Sequence, residues 1–585
     1  MTTLLQFKQL LFLFIYFLTY PSVSYSVQDP PTSNIYDTVK NVIYAEDHPY
    51  FEKTTFLAYK EIIGQLYLAS PSSQALLWLN AKNIETGNIV SVLQLMSSAD
   101  NSGLNKTHYH LNFLNSKWNK LINQHDANLQ SLALLDTAIS INLLHYLSDL
   151  HFGRIDPQTL KFNFKTQKNS SDFIPIILNA IQNNKIDKLS ELVEPKHPAY
   201  HQLKKALSSY RKQSSSPDYN TLNYLSTIRP EDTTPQVIAI RQKLNILGIT
   251  TNKTNSASCL YDEELVNNVK DFQIRNGLKI DGVIGKRTIM ALRPNQTQRI
   301  QQIELAMERL RWLPKIQPGP LVLVNIPAFQ LWAYESEQLI ESQALNMKVI
   351  VGKSVDELLK SPIFTANMYY LEFSPYWNVP KSIIIKEILP KLEEDPLYIE
   401  QQNMELVTGF HNNELPVPYT EETIGQLKNS ILKIRQRPGG NNALGKVKFI
   451  FPNNYNVYLH DTPSHRLFNK PKRDLSHGCI RVEKPTELAS FLLKTKPEWS
   501  HKKILKSMQL SRPKQVRLST SVPVVIFYST AFPEKEEIVF YEDIYGYDIK
   551  LKQALLKHHN IQINVKRFPM NLPVPNTASI NMNKI

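Results

Sequence analysis

The chain has 585 residues, room for about four domains of roughly 150 residues each, and its 42% hydrophobic content excludes a chain too polar to build cores. Its formal net charge of +14 suits an anionic partner such as nucleic acid, a membrane surface or a cell wall. No nucleic-acid motif accompanies the charge, and scattered Lys and Arg also make an ordinary solvated face.

In chain order, Lys8 precedes an apolar run from Leu10 to Leu18, and Ser24-Tyr25-Ser26 places small residues where a signal peptidase reads. This predicts an export signal over 1–26. The run is shorter than the ~20 residues that span a bilayer comfortably, and an uncleaved signal would leave membrane association as the alternative. Export places the mature chain in the periplasm or another extracytoplasmic space, where unpaired thiols are usually avoided. The two cysteines, Cys259 and Cys479, fall in different predicted domains.

Residues 27–228 read mostly as helices. Leu132 to Leu150 form a buried helix candidate, and Ser214-Ser215-Ser216-Pro217-Asp218 an exposed linker. From Gln236 to Leu247, Val237, Ile240, Leu244 and Leu247 recur at helical spacing. A second helix carries Leu265, Val269 and Phe272, then Asp281-Gly282-Val283-Ile284-Gly285 turns into a short helix through Ile289 and Leu292. The segment 229–295 resembles a small three-helix peptidoglycan-binding domain, while periodicity alone establishes only a bundle. A helical linker over 296–320 follows.

The β-rich part occupies 321–510 and opens on Leu321-Val322-Leu323-Val324-Asn325-Ile326, followed by Gln330 to Tyr334 and Met347 to Gly352. After Trp377-Asn378-Val379-Pro380 the pattern turns helical and charged, and 381–440 reads as an insertion grafted onto a loop, a lid candidate. Strand pattern resumes at Val447 to Phe451. Over 511–585, Val522 to Tyr528 and Glu537 to Tyr541 read as a hairpin across Pro533 to Glu536, leading to a helix near Tyr547 and completing the region.

Chemistry concentrates in Ser476-His477-Gly478-Cys479-Ile480-Arg481-Val482 and in Asn456-Val457-Tyr458-Leu459-His460. On a strand, alternation would point His477, Cys479 and Arg481 one way and Ile480 and Val482 into a core. Tyr458 and His460 would share a face in the same manner, and Gly478 would leave room beside the thiol. Cysteine attacks as the thiolate, which nearby cations favour. The intervening loop is net positive. A disulfide to Cys259 would silence such a nucleophile and is set aside. Four donors, His460, His465, His477 and Cys479, also invite a metal site, but they alternate along apolar strands beside a single cysteine rather than forming paired ligand knuckles. No metal is assigned.

The runs Tyr458-Leu459-His460-Asp461-Thr462-Pro463 and Ser476 to Val482 resemble the signature of YkuD-type L,D-transpeptidases, which cross-link bacterial peptidoglycan. The resemblance extends through Arg437 to Phe449 and Ser374 to Pro380, nearest the large multidomain Gram-negative members. Arg481 stands where many shorter members carry Asn. The resemblance implies Cys479 as nucleophile and His460 as base, its ring oriented by a backbone carbonyl, with no cofactor. It implies attack on a stem tetrapeptide, release of D-alanine, a thioester, and transfer to a diaminopimelate amine giving 3-3 cross-links. Backbone N–H groups near Gly478 and Cys479 would serve the oxyanion, and Ser476, His477, Arg481, Tyr458 and Trp377 would line the substrate site. Trp377 and Tyr458 also read as ordinary core. The anionic cell wall would be the partner, the helices of 27–228 a scaffold, and 381–440 a substrate cap. The fold class is therefore α+β multidomain: helical scaffold, three-helix bundle, and β-rich catalytic domain with an inserted helical lid. A cysteine endopeptidase, a carboxypeptidase using water as acceptor, and a wall-binding protein with a structural Cys479 stay open.

Overall fold

The structure is a computed structural model. It describes residues 34–561 apart from 71–74, 81–86, 124–127, 165–168, 213–221, 250–256, 315–317, 336–344 and 535–536. The expected export signal and the linker at Ser214 to Asp218 lie outside the described residues. Among those described, no helix is long and apolar enough to cross a membrane.

The N-terminal region is helical. Its central helix, Leu129–Phe152, is buried along nearly its whole length, polar residues included. Those polar groups are paired: the Asp136 carboxylate accepts from the backbone N–H groups of Leu77, Trp78 and Leu79 and from the Tyr67 hydroxyl. The stretch expected as one scaffold is shared between two cores. One holds residues from Val39 to Val193, whereas Phe162, Phe164, Tyr200, Leu203 and Leu207 pack into the core of the β-rich region. The bundle expected near 236–292 consists of helices Gln236–Ile246, Glu263–Arg275 and Lys286–Leu292 around a core of their own.

The strands are β1 (Phe162–Asn163), β2 (Leu321–Asn325), β3 (Gln330–Tyr334), β4 (Leu345–Gly352), β5 (Ile363–Phe373), β6 (Trp377–Asn378), β7 (Met404–Val407), β8 (Lys433–Gln436), β9 (Val447–Ile450), β10 (Leu459–His460), β11 (Asp474–Ser476), β12 (Ile480–Val482), β13 (Lys514–Phe527), β14 (Ala531–Glu534) and β15 (Glu537–Phe540). The main sheet runs β1-β5-β13-β2-β3-β4-β12-β10-β9, and β9 also pairs with β5, so the sheet closes on itself. A closed sheet leaves few unpaired edges.

Two expectations change here. Val522 to Tyr528 does not pair with Glu537 to Tyr541: β13 lies inside the main sheet between β5 and β2, and the hairpin is β14 with β15. The physical reason is burial, since the apolar run from Val522 to Phe527 suits a strand with neighbours on both sides. The insertion is also not purely helical. It contains short helices and a three-stranded sheet, β6-β8-β7, on a small core of its own. Arg435 and Glu405 suggest a solvated helix face in sequence, yet they are buried as an ion pair at 2.5 Å across β8 and β7.

The junction between the N-terminal region and the β-rich region is polar and buried. Gly153, at φ 80°, ends the central helix where any Cβ would meet Trp312 Nε1 at 2.7 Å. The next residues fasten to Glu308 on the helix Gln296–Arg311: Arg154 N–H and Ile155 N–H donate to Oε1 at 2.5 and 3.2 Å. Arg154 Nε and Arg311 Nη1 reach Oε2 at 3.2 and 3.0 Å.

Candidate active site

Four neighbouring strands present two adjacent rows of side chains. In one row Leu371, Phe449, Leu459 and Ile480 are in register, and each is 0% exposed. Burying four such side chains contributes about 1.5–3 kcal/mol each. The next row, one residue further along, is Glu372, Lys448, His460 and Arg481. Because side chains alternate faces, the core row forces these four ionisable groups together on the opposite face.

Cys479 lies just ahead of this row. It is not on a continuous strand with His477, as alternation suggested: Ser476 ends β11, Ile480 begins β12, and His477 to Cys479 form the bend between them. Gly478 has φ 113°, which L side chains rarely adopt, so the glycine is needed for the turn. Space is not the constraint, since a Cβ there would meet only Lys360 O and Leu359 O, at 3.8 and 3.9 Å. Ser476 Oγ ties the bend, donating to Cys479 O at 2.5 Å and accepting from Gly478 N–H at 3.2 Å. Ser361 Oγ donates to Gly478 O at 2.7 Å, and Tyr545 OH donates to Gly352 O at 2.6 Å behind it. The bend takes His477 off the strand, and its Nε2 lies 2.6 Å from Glu387 Oε1 of the insertion. Glu387 sits on a π-helical turn, Ile384–Ile388.

The thiol is partly exposed, and its Sγ–H points to Asn456 O at 3.9 Å. Tyr458 is the common neighbour of the sulfur and the imidazole. Its hydroxyl and backbone N–H both reach the thiol, and its ring stands edge-on to His460 with centroids 5.7 Å apart. Lys448 Nζ lies over the Tyr458 ring at 3.9 Å. His460 is 4% exposed, and its Nδ1 donates to Asp461 O at 2.6 Å. A carbonyl only accepts, so Nδ1 carries the proton and Nε2 keeps the lone pair a base needs. Trp377 packs against the insertion's apolar core. His465 Nε2 lies 3.6 Å from the Asp461 carboxylate, so of the four donors weighed for a metal His460 and His465 face Asp461, His477 faces Glu387 and Cys479 faces Asn456 O.

Burial sets the protonation states. It pushes the Cys479 thiol above its ordinary 9.0, with the Tyr458 N–H, Lys448 and Arg481 pulling back, and together with Arg481 it holds His460 down at about 3. The resting pair is therefore thiol and neutral imidazole rather than thiolate and imidazolium. Alkylation of Cys479 by iodoacetamide, read by mass on its peptide, should climb about tenfold per pH unit from pH 6 to 9, following the thiolate fraction. A plateau across that range would show a preformed ion pair instead. Lys448→Met should slow the reaction several-fold at pH 8.

A cleft of about 570 Å³ lies beside the bend, lined by Gly478, Tyr455 and Val457 on one side and by Phe162, Asn163 and Lys161 of the N-terminal region on another. Sequence reasoning missed Glu372, Lys448, Ser361, Tyr545 and Glu387. The first two were visible as polar members of alternating Leu371-Glu372-Phe373 and Val447-Lys448-Phe449, but only the pairing of β9 with both β10 and β5 puts them in one row with His460.

Comparison with known proteins now adds to this geometry. Residues 319–526 match the family model described as the L,D-transpeptidase catalytic domain, YkuD; residues 233–292 match "putative peptidoglycan binding domain", and residues 67–207 match a scaffold domain. Residues 319–526 are thus similar to YkuD L,D-transpeptidase catalytic domains, and residues 233–292 to peptidoglycan-binding domains. A protein of Haemophilus influenzae described as "Putative L,D-transpeptidase" is 34% identical over 254 residues, which cover 43% of this chain and 49% of that one. The chain therefore spans about half the length of this curated relative. The crystal structure of an L,D-transpeptidase from Xylanimonas cellulosilytica aligns at 14% identity over 52% of this chain and 99% of that chain, with a TM-score of 0.16, too low to carry an argument.

Proposed function

We propose that the protein is a peptidoglycan L,D-transpeptidase that makes 3-3 cross-links through a thioester on Cys479, an acyltransferase that needs no cofactor. One observation carries this reading: a partly exposed thiol and a buried imidazole with its Nδ1 fixed by Asp461 O meet through Tyr458 on one face of adjacent strands. Catalysis starts when the thiol turns from Asn456 O toward His460 Nε2. Catalytic hydrogen bonds are often long without substrate and tighten when it binds. Nε2 takes the thiol proton as sulfur attacks the carbonyl of the diaminopimelate–D-alanine bond. The C–N bond breaks, the D-alanine amine takes the proton from His460, and the thioester remains. The side-chain amine of a second stem then attacks, giving its proton to His460. The C–S bond breaks, and the proton returns to sulfur.

The cleft lined by His477 and Gly478, the two residues just before the thiol in sequence, suits the acyl portion of the donor. The insertion, joined to the bend by Glu387 and His477, serves as its cover. The peptidoglycan-binding domain and the net positive charge fit an anionic wall. The apolar run from Leu10 to Leu18 supports export to the periplasm, where that substrate lies.

Incubation of the protein with tetrapeptide-bearing muropeptides tests the reading. Cross-linked dimers with one D-alanine released per bond are expected. Release of D-alanine without dimers would mark a carboxypeptidase, cleavage within the stem an endopeptidase, and absence of any acyl-enzyme a wall-binding protein.

A further inference from the structure

Arg481 is a cation that the fold leaves without an anion. Its register partners are His460 on β10 and Ile350 on β4, and neither supplies negative charge. Glu483, two residues on and facing the same way, is engaged by Lys348, whose Nζ lies at 3.4 Å and whose N–H donates at 3.0 Å. Lys448, the cation on the other side of His460, faces Glu372 in register. Arg481 has no equivalent, and its Nε is buried without a hydrogen-bond partner. Among the described residues no carboxylate forms an ion pair with it. A half-buried guanidinium without an anion is unfavourable, and a planar carboxylate is the group it binds best.

Its position says which carboxylate. In acyl transfer the leaving amine must receive the proton held by His460, so the departing residue lies on the His460 side of the sulfur. Arg481 is level with His460 and two residues beyond Cys479, which places it about 6–7 Å further along the strand at roughly 3.3 Å per residue. A C-terminal amino acid just past the attacked carbonyl carries its own α-carboxylate only three covalent bonds away, a reach of about 4 Å plus the sulfur–carbon separation.

Building on the transpeptidase reading, we propose that Arg481 binds the free α-carboxylate of the terminal residue that leaves, and thereby restricts the enzyme to bonds one residue from a peptide's C-terminus. A peptide that continues past that residue presents a neutral amide there and leaves the guanidinium unsatisfied. The arrangement separates this chemistry from that of an endopeptidase, and it makes Arg481 a specificity residue.

The test uses two tetrapeptide donors that differ only in the C-terminal group, a carboxylate or a primary amide, with the full chain. The wild-type protein should prefer the acid by about 30–100-fold in kcat/KM, as sites built to pair a polar group reject ligands that lack it. In Arg481→Gln both donors slow, because a charge near the sulfur is lost, but the preference should fall to within about threefold. Arg481→Lys, which keeps charge without the planar fork, should fall between. Equal use of both donors by the wild type, or an undiminished preference in Arg481→Gln, overturns the proposal while acyl-enzyme at Cys479 still supports the transpeptidase reading. Absence of acyl-enzyme with either donor in the wild type overturns both.

Discussion

Cys479→Ser should abolish the acyl-enzyme and reduce D-alanine release by about a thousandfold or more, the equivalent of roughly 4 kcal/mol of barrier. The reasoning rests on the base. His460 is held at about 3 by burial and by Arg481, so it is a weak proton acceptor. Burial raises the thiol above its ordinary value, with the Tyr458 N–H, Lys448 and Arg481 limiting that rise, and a hydroxyl is several pH units less acidic again, so its proton transfer to such a base is costlier still. The change is nearly isosteric at a partly exposed site, so the fold should persist. Thermal unfolding close to wild type, with intact mass showing no adduct after incubation with donor, is the expected pair of results. Turnover within tenfold of wild type would mean that the sulfur is not the nucleophile.

Glu308→Ala should be the most damaging single change to stability. The carboxylate is 0% exposed and accepts from two backbone N–H groups and two guanidinium groups at the junction of the helical and β-rich regions. Removing it leaves Arg154 and Arg311 as uncompensated charges in a buried interface, a loss of about 3–5 kcal/mol. For a unit of 150–250 residues this corresponds to a fall in Tm of about 10 °C. Replacing both Glu308 and Arg311 with apolar residues of similar size should cost less than Glu308→Ala alone, because one guanidinium, that of Arg154, is then left without its anion instead of two. The sign with pH follows. Arg154 and Arg311 hold the Glu308 carboxyl below its ordinary 4.5, outweighing burial, which acts the other way. Its contribution is therefore complete above that value and disappears only as pH falls through the depressed one.

What sequence could and could not foresee divides along the range of the interactions. The helix at Leu129–Phe152 and the three helices around Phe272 announce themselves because period and burial are local. Cys479 and His460 do so because the motif places rare chemistry in a distinctive order. The His477 ring was misplaced because a φ of 113° at Gly478 breaks the alternation that a strand would keep. The three-stranded sheet in the insertion was hidden because Glu405 and Arg435 look solvated until they are paired. Glu372 lies 107 residues before Cys479, and no local pattern connects them. The position of β13 depends on which strands find each other across 202 residues, an outcome set by packing over the whole sheet.

That placement of β13 governs when the sheet can close. Lys514–Phe527 bridges β5 and β2, so the ring of strands has a gap until this late segment is available. A nascent chain that has emerged only as far as residue 510 already contains the thiol and the imidazole on paired strands, but its sheet is open, with unpaired edges on β5 and β2. Closure of the sheet is thereby deferred to the last stage of synthesis.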